Sequence, residues 1–176
     1  MNRFKCFVFF TLLLLPKPGI CKIEPTNFLE AEIMYCSDGD TCRLKIKEGV
    51  KDPMWLNVRL AGIDAPETAK KRKKTPAQPF GEEAKTFVNT QLAKKKILLR
   101  QVDLDHYNRP IVEIYVGDSL FNLSLLEKGL AEVYQGKTKR IDRALYQASE
   151  NIAKKAKIGI WGLKNYISPK DFRKKH

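Results

Sequence analysis

Histidine and cysteine are scarce in this chain. Among its 176 residues only His106 and His176 are histidines, and the four cysteines form no Cys-X-X-Cys pair. A zinc centre of imidazoles and paired thiolates therefore has little to be built from. Residues 22–176 contain no internal repeat and no low-complexity linker, so one domain around a single core suits the length. Hydrophobic residues make up 43%, which excludes disorder for the bulk of the chain. Acidic residues are outnumbered, 20 against 33 basic, for a net charge of +13. A surface so basic attracts polyanions, either nucleic acid or an anionic membrane.

The apolar run Cys6–Leu15 is too short to span a bilayer comfortably. With Arg3 and Lys5 before it, Pro16 and Pro18 after it, and Gly19 and Cys21 at the −3 and −1 positions of a cut before Lys22, residues 1–21 read as a secretory signal. An uncleaved anchor is the alternative. Ile20 separates Gly19 from Cys21, so there is no Gly-Cys lipobox. The expected destination is secreted or periplasmic, with no stable membrane association after cleavage. Cys6 and Cys21 leave with the signal. Cys36 and Cys42 remain, flanking Asp38-Gly39-Asp40. A hairpin centred on Gly39 places them opposite one another, where an oxidising compartment permits a disulfide. Two half-buried thiols are the other reading.

Strand-like runs come first: 28–37, 41–46 and 55–63. A basic, proline-bearing loop, 69–79, holds Lys70-Lys71-Arg72-Lys73-Lys74. Ala84, Phe87, Val88 and Leu92 then recur at helical spacing within 81–94. Strands over 97–102 and 111–116 flank the turn 103–110, and a short helix over 120–128 stops at Gly129. A longer helix spans 141–157, with Leu145, Ala148, Ile152 and Ala156 on one face. The order predicts an α+β domain around a small closed sheet. The basic tail 170–176 is expected to be frayed and solvated.

Asp40 and Asp64 are the candidate metal ligands, since calcium and magnesium take hard oxygen donors. Either acidic turn alone is ordinary loop chemistry. Arg59 strengthens the case. Leu56, Val58 and Leu60 alternate with Asn57, Arg59 and Ala61, so Arg59 projects from the face opposite the aliphatics. Its planar fork matches a phosphate, although pairing with Asp64 is a simpler use for it. Arg109 lies in the turn Asp105-His106-Tyr107-Asn108-Arg109-Pro110, where Asn108 tolerates a left-handed conformation. Trp161 is expected to pack in the core rather than to stack on a base. The run Lys70–Lys74 reads as a solvated loop, or as salt-sensitive attraction for nucleic acid.

Asp38-Gly39-Asp40-Thr41, the run Arg59 to Thr68, Phe80-Gly81-Glu82-Glu83-Ala84, Asp105 to Arg109 and Gly159-Ile160-Trp161 together resemble the staphylococcal nuclease (thermonuclease) family, in order from about Phe28 to Trp161. The resemblance implies a five-stranded OB-fold-type β-barrel with three α-helices. It also implies a monomeric, calcium-dependent nuclease acting on DNA and RNA and leaving 3′-phosphate ends. By position, Asp40, Asp64 and the backbone carbonyl of Ala65 match the family's calcium ligands. Glu67 matches its general base, Arg59 and Arg109 its phosphate-gripping pair, and Tyr107 a tyrosine beside the nucleotide. Asp38 falls beside the metal site and is expected to act through its neighbours. Asn108 stands where the family has glycine. Tyr134, in Val133-Tyr134-Gln135-Gly136, corresponds to a tyrosine-rich segment that contacts a base, in a register that can differ by one. The rival readings are a non-catalytic nucleic-acid-binding module on the same barrel, which would typically have lost some of these carboxylates or arginines, and a basic adhesin or structural protein.

Overall fold

A computed structural model describes residues 28–46, 54–70 and 74–176. The expected signal, 1–21, and Lys71-Arg72-Lys73 of the basic loop lie outside the described residues. The elements, in order, are β1 (Phe28–Cys36), β2 (Thr41–Ile46), β3 (Met54–Leu60), β4 (Ile63–Asp64), α1 (Gly81–Leu92), β5 (Ile97–Leu104), β6 (Pro110–Val116), β7 (Ser119–Leu120), α2 (Phe121–Glu127), β8 (Glu132–Val133), α3 (Arg143–Ala156) and α4 (Pro169–Lys175). A 3-10 turn covers Gly159–Gly162.

Alternation along the strands decides what faces inward. In β2, Cys42, Leu44 and Ile46 are buried while Arg43 is exposed, and in β3 Val58 and Leu60 are buried on either side of Arg59. Five strands run in the order β3-β2-β1-β5-β6, and parallel pairing of β3 with β6, Arg59 to Ile111 and Leu60 to Val112, closes them into a barrel. Such closure leaves few free edges. Buried Asn122 at the start of α2 locks the seam. Its side-chain amide donates to the carbonyls of Ala61 (3.0 Å) and Val112 (3.2 Å), and its Oδ1 accepts from the Ile114 amide at 2.9 Å. The end of β3, and Arg59 with it, is thereby fixed against the start of β6.

Helix α1 packs on the barrel through Ala84, Val88 and Leu92, the spacing legible in the sequence. Gly39 makes this contact possible, since a Cβ there would lie 2.7 Å from Ala65 Cβ and 2.8 Å from Ala84 Cβ. Cys36 and Cys42 are direct partners across β1 and β2 and are joined by a disulfide. The bridge closes the hairpin whose tip carries Asp38 and Asp40.

Four expectations are corrected. Helix α3 buries Tyr146, Ser149, Glu150 and Ala153, whereas Leu145 and Ile152 are 44% and 56% exposed. Polar groups won the inner face because each has a partner there. The Tyr146 hydroxyl donates to Glu113 Oε1 at 3.1 Å, and Glu150 Oε1 accepts from the Val133 amide at 2.7 Å. The described residues form four α-helices rather than three. The fourth is the tail expected to fray. Ser168 caps α4 by accepting from the Asp171 amide at 3.0 Å, Pro169 opens its first turn, and Phe172 is buried. Trp161 is only half-buried, lying 5.2 Å from the ring of Tyr166 with the Lys154 ammonium 4.3 Å from its own centroid.

Candidate active site

The tip of the β1–β2 hairpin, the end of β3 and the strand β4 converge on one spot. Asp40 and Asp64 are 4% and 1% exposed, and Glu67 is 8% exposed. Charges this deep need partners. Arg59 supplies one to both aspartates: Nη1 donates to Asp40 Oδ1 at 3.1 Å and Nη2 to Asp64 Oδ1 at 2.8 Å, with Asp40 Oδ2 2.9 Å from Nη2. It therefore pairs with Asp40 as well as with the expected Asp64. The backbone carries the rest of Asp40, whose Oδ2 accepts from the Ala65 amide at 3.1 Å and whose own amide donates to Asp38 Oδ1 at 3.2 Å. Asp38 thus shapes the turn that aims Asp40.

Glu67 is held from behind by Gln78. The Glu67 amide donates to Gln78 Oε1 at 2.9 Å, and the Gln78 amide donates to the Glu67 carbonyl at 2.8 Å. Gly81, at the start of α1, lies so close to the Glu67 carbonyl that a Cβ there has no room. Lys70 ion-pairs with Glu67 Oε2.

An open cavity of about 670 Å³ is lined by Asp40, Arg59 and Glu67 and also by Arg109, Tyr107 and Tyr134. Asn108 takes the left-handed conformation, φ 60°, and the chain doubles back so that Asp105 holds Arg109 through the backbone amide (2.9 Å) and Nε (2.7 Å). The guanidiniums of Arg109 and Arg59 each lie 5.7 Å from a tyrosine ring, Tyr107 and Tyr134 respectively. Asp40, Asp64, Glu67 and Arg59 therefore cluster directly. Ala65 is buried among them, and Arg109, Tyr107 and Tyr134 line the same cavity.

The residue missed by sequence reasoning is Arg173. From α4 its Nη1 donates to Asp64 Oδ1 (3.0 Å) and Glu67 Oε1 (2.8 Å), and its Nη2 to Asp64 Oδ2 (2.8 Å). Ser168-Pro169 with Asp171 is a readable helix start, but nothing in the sequence aims the following arginine at residues more than a hundred positions upstream.

Burial pushes the Asp40 carboxyl up to about 6 despite the Arg59 guanidinium beside it. Burial also raises Asp64, against the opposing hydrogen bond from Arg173. Burial would raise Glu67 too, yet hydrogen bonds from Lys70 and Arg173 outweigh it and hold the carboxyl below its ordinary value. Asp40 and Asp64 offer only hard oxygen donors and share one guanidinium, so their oxygens address a common region, a set that fits a divalent cation of the calcium or magnesium type. Among the described residues no three His, Cys, Asp or Glu side chains form a ready-made cage, so backbone, water and substrate oxygens would complete the coordination.

A closed mixed barrel with helices packed on it, carrying a carboxylate–arginine cluster at the end of β3, defines an OB-like α+β protein with a candidate active site. Residues 57–162 match the family described as staphylococcal nuclease homologue, and the chain belongs to that family. It is similar to proteins named "Probable endonuclease LCL3". One, from Nakaseomyces delphensis, is 33% identical over 127 residues, covering 68% of this chain and 48% of that protein. Another, from Saccharomyces cerevisiae, is 35% identical over 128 residues, covering 68% and 46%. The chain thus spans about half the length of these curated relatives. Arg59, Asp64, Glu67, Tyr107, Arg109 and Tyr134 fall inside the matched segment, whereas Asp40 precedes it and Arg173 follows it.

Proposed function

We propose that this protein is a calcium-dependent nuclease that hydrolyses phosphodiester bonds in DNA and RNA. The observation that carries the reading is the burial of Asp40, Asp64 and Glu67 around Arg59, beside an open cavity that Arg109 also lines. Buried like charges are costly to assemble, and a fold that keeps three of them together has a use for them.

Asp40, Asp64 and the Ala65 carbonyl would hold the cation, which when bound supplies Lewis-acid polarisation of the phosphate. Arg59 and Arg109 grip the scissile phosphate from two sides and stabilise the charge that grows on its oxygens. One such preorganised donor is commonly worth ~2.7–4 kcal/mol. Glu67, ionised at neutral pH and fixed by Gln78, accepts the proton of the attacking water. As the water oxygen bonds to phosphorus, the bond to the 5′ oxygen breaks and that oxygen takes up a proton, leaving a 3′-phosphate end. Tyr107 and Tyr134 offer faces to the sugar and base.

The protein is further proposed to act as an exported monomer, released by cleavage before Lys22 into the periplasm or the medium. The sequence of residues 1–21 supports this, and the Cys36–Cys42 disulfide suits an oxidising compartment. N-terminal sequencing of the exported protein tests the cleavage, and light scattering the monomer. For the activity, single-stranded DNA and RNA are incubated with calcium, with magnesium and with a chelator, and the ends of the products are analysed. Cleavage in calcium alone with 3′-phosphate ends is expected. Binding without cleavage in calcium would instead establish a non-catalytic nucleic-acid module.

A further inference from the structure

The tail after Trp161 runs back across the molecule to the carboxylates, and several contacts hold it there. The Tyr166 hydroxyl donates to Glu132 Oε2 at 2.7 Å, beside Asp64 in the β4–β8 pair. Gln78, the residue that fixes Glu67, donates through Nε2 to the Ile167 carbonyl at 3.1 Å. Pro169 and Phe172 are buried, and one residue on Arg173 reaches both oxygens of Asp64 and one of Glu67. The fork is thus spent on the candidate ligand and the candidate base at once. With Lys70 on its other oxygen, Glu67 has a cation on each side.

We propose that Arg173 is an intrinsic occupant of the cation site: helix α4 delivers its guanidinium to Asp64 and Glu67, where it competes with the divalent cation and keeps the nuclease latent until calcium displaces the tail. The proposal rests on the calcium-dependent reading above. Three features support competition over permanent structure. Arg59 and Lys70 already pair with Asp64 and Glu67, so Arg173 adds a further positive charge at the place where the cation would bring its own. The Arg173 side chain is 36% exposed, so its exit route is open to solvent. The helix is seven residues long and, apart from Arg173, packs through one buried aromatic and one proline that stand outside the barrel core, so its release leaves that core intact. An arginine cannot shed its charge at accessible pH, which makes displacement by the metal, not deprotonation, the way out.

The test is calcium titration by calorimetry of the full chain and of Arg173→Gln and Arg173→Lys, with hydrogen exchange of residues 169–175 followed in the wild type with and without calcium. If the tail is closed about nine-tenths of the time, Arg173→Gln binds calcium roughly tenfold more tightly, because apparent affinity scales with the competent fraction. Arg173→Lys, which lacks the fork, should fall between the two. Calcium should also speed amide exchange in α4 of the wild type, a readout that stands even if a variant folds poorly. Equal calcium affinity in all three proteins with unchanged exchange in α4 would overturn the proposal while leaving the calcium-dependent reading standing. Absence of calcium binding in every form would overturn both. Weaker cleavage by Arg173→Gln at unchanged calcium affinity would place Arg173 on the substrate instead and likewise overturn it.

Discussion

At the scale of single residues, burial works against the ionised carboxylates of the site while the neighbouring cations work for them, with burial ahead at Asp40 and Asp64 and the cations ahead at Glu67. Asp40 is pushed up to about 6 from its ordinary 3.8 by burial. The folded protein therefore binds a proton at Asp40 that the unfolded chain has already lost, and the contribution of this group to stability declines as pH rises between those values. Cation binding runs the other way, since a protonated carboxyl is a poor ligand. Calcium affinity should weaken as pH falls through about 6, which titrations on either side of that value will read. Glu67→Gln keeps the shape but gives up one acceptor, so that Lys70 or Arg173 loses its partner, and it cannot take the proton of water. It should lower turnover by about 10²–10⁴-fold with little change in melting temperature. Arg109→Ala removes a guanidinium that Asp105 has already oriented, and should cost about 10²–10³-fold in kcat. Gly81→Ala puts a methyl against the Glu67 carbonyl and should cost about 1–3 kcal/mol of stability, measurable by denaturant unfolding.

At the scale of elements, what could be read from the sequence were the parts set by short-range periodicity. The alternation that buries Val58 and Leu60 throws Arg59 outward, and the Asp-Gly turn between Cys36 and Cys42 makes a hairpin; neither needs knowledge of distant partners. Helix α3 was harder, because its inner face is chosen by Glu113 and by the Val133 amide, which reward Tyr146 and Glu150 over the more apolar Leu145 and Ile152. Arg173 was harder still. It sits in a terminal run of basic residues whose ordinary fate is solvation, and only the folded barrel presents the carboxylates that claim it. The hairpin offers its own test. A disulfide of sequence separation 6 closes a short loop, so its reduction should cost about 2 kcal/mol of stability. Reduction should also weaken cation binding, because Asp40 sits on the tip that the bridge tightens.

At the scale of the whole molecule, two kinds of electrostatics divide the work. On the proposed function, the excess of basic over acidic residues, +13 in net charge, draws in a polyanion from any direction, and the carboxylate–arginine cluster selects one phosphate from it. The first should be strongly salt-sensitive and the second much less so, since buried pairs are poorly screened. DNA affinity should therefore fall steeply with added salt while the loss on Glu67→Gln stays the same. The barrel reconciles the two by holding Asp40, Arg59 and Asp64 where β3 closes on β6, with Tyr107, Arg109 and Tyr134 lining the same cavity. The most direct test is cleavage of single-stranded DNA by the full chain in calcium, set beside Glu67→Gln and beside the wild type with a chelator. The account predicts rapid cleavage by the wild type, loss of it in both controls, and DNA binding retained by the variant. Cleavage by Glu67→Gln at the wild-type rate, or cleavage unaffected by the chelator, would contradict it.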